Sequence, residues 1–119
     1  MDDLLVIKQD WKHFTIYLII EKSAKGSVRV FEEDGYICIS DLYVTEEYRG
    51  NGIGTSLLRK AIEVSKTISE HGEIEVLVNE RSDAFVGEWY ERNGFKLQKE
   101  DNEIILNEYG EVSKYVLKF

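Results

Sequence analysis

The chain has 119 residues, 43% of them hydrophobic and 32% charged, with a net charge of −8. That length supports one core and hence a single domain spanning residues 1–119, with the composition of a soluble globular protein. The acidic balance argues against nucleic-acid binding, which needs a basic surface, and favours a cationic partner such as an amine. No run approaches the roughly 20 apolar residues of a membrane span, so no membrane partner is expected. The acidic start "MDDLLVIKQD" is unlike a signal peptide, which makes a cytoplasmic location the expectation. One cysteine, Cys38, excludes an internal disulfide and a thiol-based zinc site.

In chain order, a short strand is predicted at Leu4–Lys8 and a longer one over 13–21 in "HFTIYLIIE". "KGS" at 25–27 reads as a turn. Two alternating runs then flank Asp34-Gly35, a dipeptide that favours a tight hairpin, and the second, Tyr36 to Val44, ends where glycines begin. From Gly52 to about Ser69 the apolar period becomes helical, with Ile53, Leu57, Ala61, Val64 and Ile68 on one face. "EIEVLV" at 73–78 is a strand by alternation. "SDAFVGEWYERNG" follows as a second helix, with Ser82 or Asp83 as N-cap, Phe85, Trp89 and Arg92 on one face, and Asn93-Gly94 as the stop. The remainder is β in character, broken near Gly110. This order gives an α/β fold with a mixed sheet, in which a β-α-β unit joins the strands at 36–44 and 73–78.

"YRGNGIGTSLL" at 48–58 places three glycines between a strand and a helix. Such a turn offers unpaired N–H groups beside the positive end of the helix dipole, an anion site suited to phosphate. A Walker loop would need a Gly-Lys-Ser/Thr ending, which is absent. The dinucleotide fingerprint would need a glycine where Thr55 stands. The spacing that fits is Arg-x-x-Gly-x-Gly, in Arg49, Gly52 and Gly54, followed downstream by Tyr90, Gly94 and Phe95 in "WYERNGF".

In these residues, from about Tyr36 to Phe95, the chain resembles the GNAT family of acyl-CoA-dependent N-acetyltransferases. The resemblance implies a central sheet of about six to seven strands with two main helices and acetyl-CoA (coenzyme A) as cosubstrate. Transfer of acetyl to a primary amine would proceed by direct attack. It assigns the pyrophosphate to the amides of Gly50, Asn51, Gly52, Ile53, Gly54 and Thr55, with Arg49 adding charge. It assigns the pantetheine arm to the backbone of Leu42, Tyr43 and Val44, one of whose N–H groups would be the oxyanion donor. Tyr90 matches the tyrosine that protonates the departing thiolate, a role suited to a phenol of pKa ~10. Asp41, the acidic residue within the strand, is the favoured general base.

Other polar residues have plainer readings. Glu46, Glu47, Glu32, Glu33 and Asp34 read as solvated turns, His13 and His71 as structural, and Cys38 as an inert strand thiol. Where the family often has asparagine this chain has Asp83, whose expected task is helix capping. The chain also departs from the family in leaving no room at residues 9–13 for the usual helices between the first two strands. Either the acceptor site is open, suiting a small-molecule amine or a protein or peptide amine, or a second subunit of a homodimer completes it. The acids of segment 99–113 (Glu100, Asp101, Glu103, Glu108, Glu111) are candidates for its other wall. Two alternatives stand beside the enzyme: an acyl-CoA-binding sensor or partner-binding module without turnover, and a Rossmann-type nucleotide binder.

Overall fold

Four antiparallel strands in a row open the chain: β1 (Leu4–Asp10), β2 (His13–Ile20), β3 (Ser23–Glu33) and β4 (Tyr36–Val44). The computed structural model describes residues 4–79, 86–98, 105–107 and 110–119. Two-residue turns join the strands, as right-twisted hairpins favour. Asp34-Gly35 forms one as expected, with both residues at positive φ (54° and 83°). The β2–β3 turn differs from expectation. It lies at Glu21-Lys22 (φ 51° and 68°), and β3 continues through 25–27 with a register shift at Lys25. Gly26 is buried there because the following helix crosses it; a Cβ would stand 2.8 Å from Leu57 Cδ1 and 3.0 Å from the Tyr43 carbonyl.

After a 3₁₀ turn (Glu46–Tyr48) come helix α1 (Ile53–Ile68) and strand β5 (Glu73–Asn79), which pairs parallel to β4. Helix α2 (Val86–Arg92) and strands β6 (Lys96–Leu97), β7 (Ile105–Asn107) and β8 (Gly110–Lys118) complete the order. The strands run β1-β2-β3-β4-β5-β8-β6, seven in a mixed sheet, with β7 added on β8. This is the expected α/β architecture with two helices. A turn at Trp11-Lys12, not a helix pair, connects β1 to β2.

Alternation divides the sheet into two unlike faces. Ile16, Val28, Val30, Ile39, Val76 and Tyr115 are linked pairwise by register and are all buried. Both helices pack on this face. Leu57, Leu58 and Ala61 of α1 are fully buried in the same cluster, and Gly87 of α2 touches the Tyr115 hydroxyl. Burying each leucine contributes roughly 1.5–3 kcal/mol. Ser65, the one polar residue in the stripe, satisfies itself by donating to the Ala61 carbonyl at 2.6 Å. The other face carries His13, Phe31, Cys38 and Glu75 in one register row and Thr15, Arg29 and Ser40 in the next. Among the described residues no helix covers it.

Candidate functional site

The site begins where β4 parts from β5. The two strands pair only at Ile37↔Ile74, Cys38↔Glu75 and Ile39↔Val76, although β4 continues to Val44 and β5 to Asn79. A bulge on the other side of β4 accompanies the separation. Arg29 faces Ser40 and Ser27 faces Tyr43, so Asp41 and Leu42 together oppose Val28. Asp41 takes a left-handed φ of 54°, and the extra residue bends the strand. The backbone edge of Ser40–Val44 is thereby left without a strand partner on the β5 side.

At the open end of this split, a hollow of about 290 Å³ is lined by Val44, Tyr48, Arg49, Gly50, Gly52, Gly54, Thr55 and Trp89. Gly50 and Gly52 have φ of 83° and 79°, and a Cβ on either would meet nothing within 4 Å. The loop therefore needs glycine for its backbone path, and the space beside it stays free for a ligand to approach the amides. Gly52 is the N-cap of α1 and supplies no side-chain hydrogen bond, which leaves first-turn N–H groups available. Ile53 buries its side chain in the core, so it can offer only its amide, while Asn51 is exposed.

Arg49 does more than add charge. Its Nε donates to the Val44 carbonyl at 2.9 Å and its guanidinium lies 5.8 Å over the Tyr43 ring, tying the loop to the end of β4. Tyr43 is exposed, whereas Leu42 and Val44 lean on the core. Tyr48 and Trp89 were missed by sequence reasoning as lining residues. Lys25 sits 5.3 Å over the Tyr48 ring and brings a second cation to this end of the sheet. The Thr45 hydroxyl just before the loop is buried without a hydrogen-bond partner among the described residues.

Tyr90 is buried between Trp89 (5.0 Å, 67°) and Phe95 (5.4 Å, 72°), both edge-on. Burial, reinforced by the charge that Cys38 carries when ionised, pushes its phenol up to about 12. It therefore holds its proton at neutral pH. Cys38 on β4 is likewise pushed up to about 12, first by burial and then by Glu75 and Glu33, which agrees with an inert thiol.

Asp41 is exposed, and its Oδ2 accepts from Arg29 Nη1 at 3.3 Å and from Ser40 Oγ at 3.4 Å. With Arg29 and Ser40 it borders a second hollow, of about 380 Å³, on the uncovered face. His13, expected to be purely structural, also lines this hollow, stacked on Phe31 at 5.7 Å. His71 stacks on Tyr36 at 4.5 Å, at the opposite end of β4 from the glycine loop. The expected caps Ser82 and Asp83, together with Phe85, Glu100, Asp101, Glu103 and Glu108, lie outside the described residues, as does the side chain of Glu111.

A strand that leaves its parallel neighbour, with a glycine loop and a helix start at the gap, is the layout that the resemblance to acyl-CoA-dependent acetyltransferases implies. The acetyltransferase (GNAT) domain family matches residues 10–97, and the chain belongs to that family. Streptothricin acetyltransferase A of Bacillus subtilis (strain 168) is 34% identical over 65 residues, 54% of this chain and 37% of that protein, so the match spans little more than a third of the relative. A solved Bacillus subtilis acetyltransferase in complex with CoA superposes with a TM-score of 0.77 at 14% identity, covering 99% of both chains. A GNAT family acetyltransferase from Elizabethkingia anophelis with acetyl-CoA bound gives 0.73 at 18% identity, covering 91% of this chain and 77% of that one. Among the described residues there is no metal-binding cluster and no helix long and apolar enough to cross a membrane.

Proposed function

We propose that this protein transfers an acetyl group from acetyl-CoA to a primary amine by direct attack in a ternary complex. The observation that carries the reading is the placement of the glycine loop at the mouth of the β4–β5 split, with α2 bridging the two. Trp89 lines the loop, and Tyr90, the next residue, lies within electrostatic reach of Cys38 on β4. Acetyl-CoA, as the donor substrate, supplies the thioester. The amides of Gly50 to Thr55 and the guanidinium of Arg49 hold its phosphates. The unpaired backbone of Leu42, Tyr43 and Val44 orients the pantetheine arm, and one N–H there stabilises the oxyanion. Asp41 accepts a proton from the acceptor ammonium. A C–N bond forms, the C–S bond breaks, and the Tyr90 hydroxyl gives its proton to the leaving thiolate sulfur. The second proton of the acceptor nitrogen restores the Tyr90 hydroxyl, and the proton taken by Asp41 passes to solvent. The acceptor is a small-molecule or peptide amine, and the setting is cytoplasmic.

One observation favours the alternative, an acyl-CoA-binding module without turnover: the carboxylate offered as base is already engaged by Arg29. Thiol release from acetyl-CoA with a panel of primary amines separates the two. The enzyme reading expects release with at least one amine and a loss of about 10²–10⁴-fold in kcat for Tyr90→Phe, the span typical of a general acid. Thermal protection by coenzyme A without release for any amine would replace it with the binding module. Protection by NAD instead of coenzyme A would overturn both.

A further inference from the structure

The uncovered face of the sheet has a hollow because of what β4 places there. Its two side chains on that face next to the bulge are Cys38 and Ser40, both small. Their register neighbours on β3 are Phe31 and Arg29, and Leu77 stands on the β5 side. Two small residues between larger ones leave a trough of about 380 Å³, within the roughly 300–1,000 Å³ of small-ligand sites. Its walls are apolar and flat at one end, where His13 and Phe31 lie stacked at 15° to each other and Leu77, 46% exposed, faces them. Ile39, the last β4 residue paired with β5, lies in the lining, so the trough opens where the split begins.

Its polar end is Asp41. Among the described residues both contacts of that carboxylate, from Arg29 and from Ser40, go to Oδ2, which leaves Oδ1 for a further donor. Of the other polar groups in the lining, the Ser40 hydroxyl and Arg29 Nη1 are thus directed to Asp41, which leaves the His13 ring and the outer guanidinium N–H groups. Few partners remain for a polyhydroxylated ligand, and a buried hydroxyl without one is costly.

We infer that this trough is the acceptor subsite and that it takes an arylalkyl primary amine. The aromatic ring lies over Cys38 and Ser40, between Phe31 and Leu77. The ammonium donates to Asp41 Oδ1, at the end of the trough nearest the split. The inference rests on the acyltransferase reading only for the fate of that amine, since ring and charge are recognised by the trough itself.

The test is a titration with 2-phenylethylamine in the presence of coenzyme A, followed through the backbone amide NMR signals of Ile39 and Leu77. The expected result is saturable ring-current shifts at both residues. Filling the floor with Cys38→Leu should weaken the response at least tenfold while thermal protection by coenzyme A is kept. Ser40→Leu serves the same purpose if the first variant does not fold, and Leu77→Ala, which removes a wall without adding bulk, should weaken it several-fold. Shifts that are absent, or unchanged in these variants, overturn the inference. So does stronger binding of spermidine, an aminoglycoside or a lysine peptide. Thiol release is scored separately. Release with a lysine peptide but none with 2-phenylethylamine sinks the acceptor class and leaves the enzyme standing. Amide shifts without release for any amine keep the subsite and sink the enzyme.

Discussion

The two faces of the sheet are built from alternate residues of the same strands, yet they answer to different demands. On the helix-covered face Ile16, Val28, Val30, Ile39 and Val76 are at most 3% exposed, and α1 presses Leu57, Leu58 and Ala61 onto them. On the other face stand stacked rings, two small residues, an ion pair and an exposed leucine. The absence of helices between β1 and β2 creates this difference, because nothing in the described chain folds over the second face. The first face carries the stability and constrains every volume. The second is free to carry a site.

The sharpest way to break this comparison is to truncate a leucine on each face. Leu58→Ala removes a fully buried side chain from beneath α1 and should cost about 2–5 kcal/mol of unfolding free energy in urea. Leu77→Ala, already half in water, should cost less than about 1 kcal/mol. Equal losses would mean that the second face is covered in solution, and a concentration-dependent midpoint would identify a second copy as the cover.

The covered face was the more legible in the sequence, because its signals are local. The period through Ile53, Leu57 and Ala61 marks the buried stripe of α1, and the run Tyr36–Val44 coincides with β4. The loop between them was readable from glycine spacing, and Arg49, Gly50, Gly52, Gly54 and Thr55 do line one hollow. Features that depend on register were not readable. The bulge at Asp41 exists because two residues of β4 share Val28, and no glycine or proline announces it. The trough needs His13, Phe31 and Cys38 in one row, which three separate strand segments supply. Gly26 suggested a turn for the right reason, glycine's lack of a Cβ, but the use made of it is a close approach by Leu57.

Cys38 offers a smaller test, since it lies on the open face yet is half-buried between its register neighbours Phe31 and Glu75. Its thiol is raised from 9.0 to about 12 and the Tyr90 phenol from 10.0 to about 12. In each case the unfolded chain gives up its proton at a lower pH than the folded chain does. Stability is therefore full below about pH 9 and falls as pH climbs through the folded values near 12. Cys38→Ala removes the first of these losses, so the decline should start nearer pH 10 in the variant than in the parent. Parallel pH profiles in denaturant titrations would show that water reaches Cys38 and that this part of the open face is not shielded.

The smallest expected effect lies at the turn that belongs to neither face. Glu21 and Lys22 both sit at left-handed φ in the β2–β3 connection, a conformation that costs an L-residue roughly 1–2 kcal/mol. Lys22→Gly relieves that strain but adds roughly 0.5–1 kcal/mol of chain entropy to the unfolded state. The net gain should be a few tenths of a kcal/mol up to about 1 kcal/mol, read as a raised urea midpoint with an unchanged slope. Gly26→Ala, four residues on, should move the midpoint the other way, because its methyl would press on Leu57 and on the Tyr43 carbonyl. Opposite signs at 22 and 26 place the turn at Glu21-Lys22 and give Gly26 a packing role beneath α1. If Lys22→Gly were instead the more harmful of the two, the chain would reverse at 25–27. The β2–β3 register would then be wrong, and with it the row of His13 and Phe31 on which the trough depends.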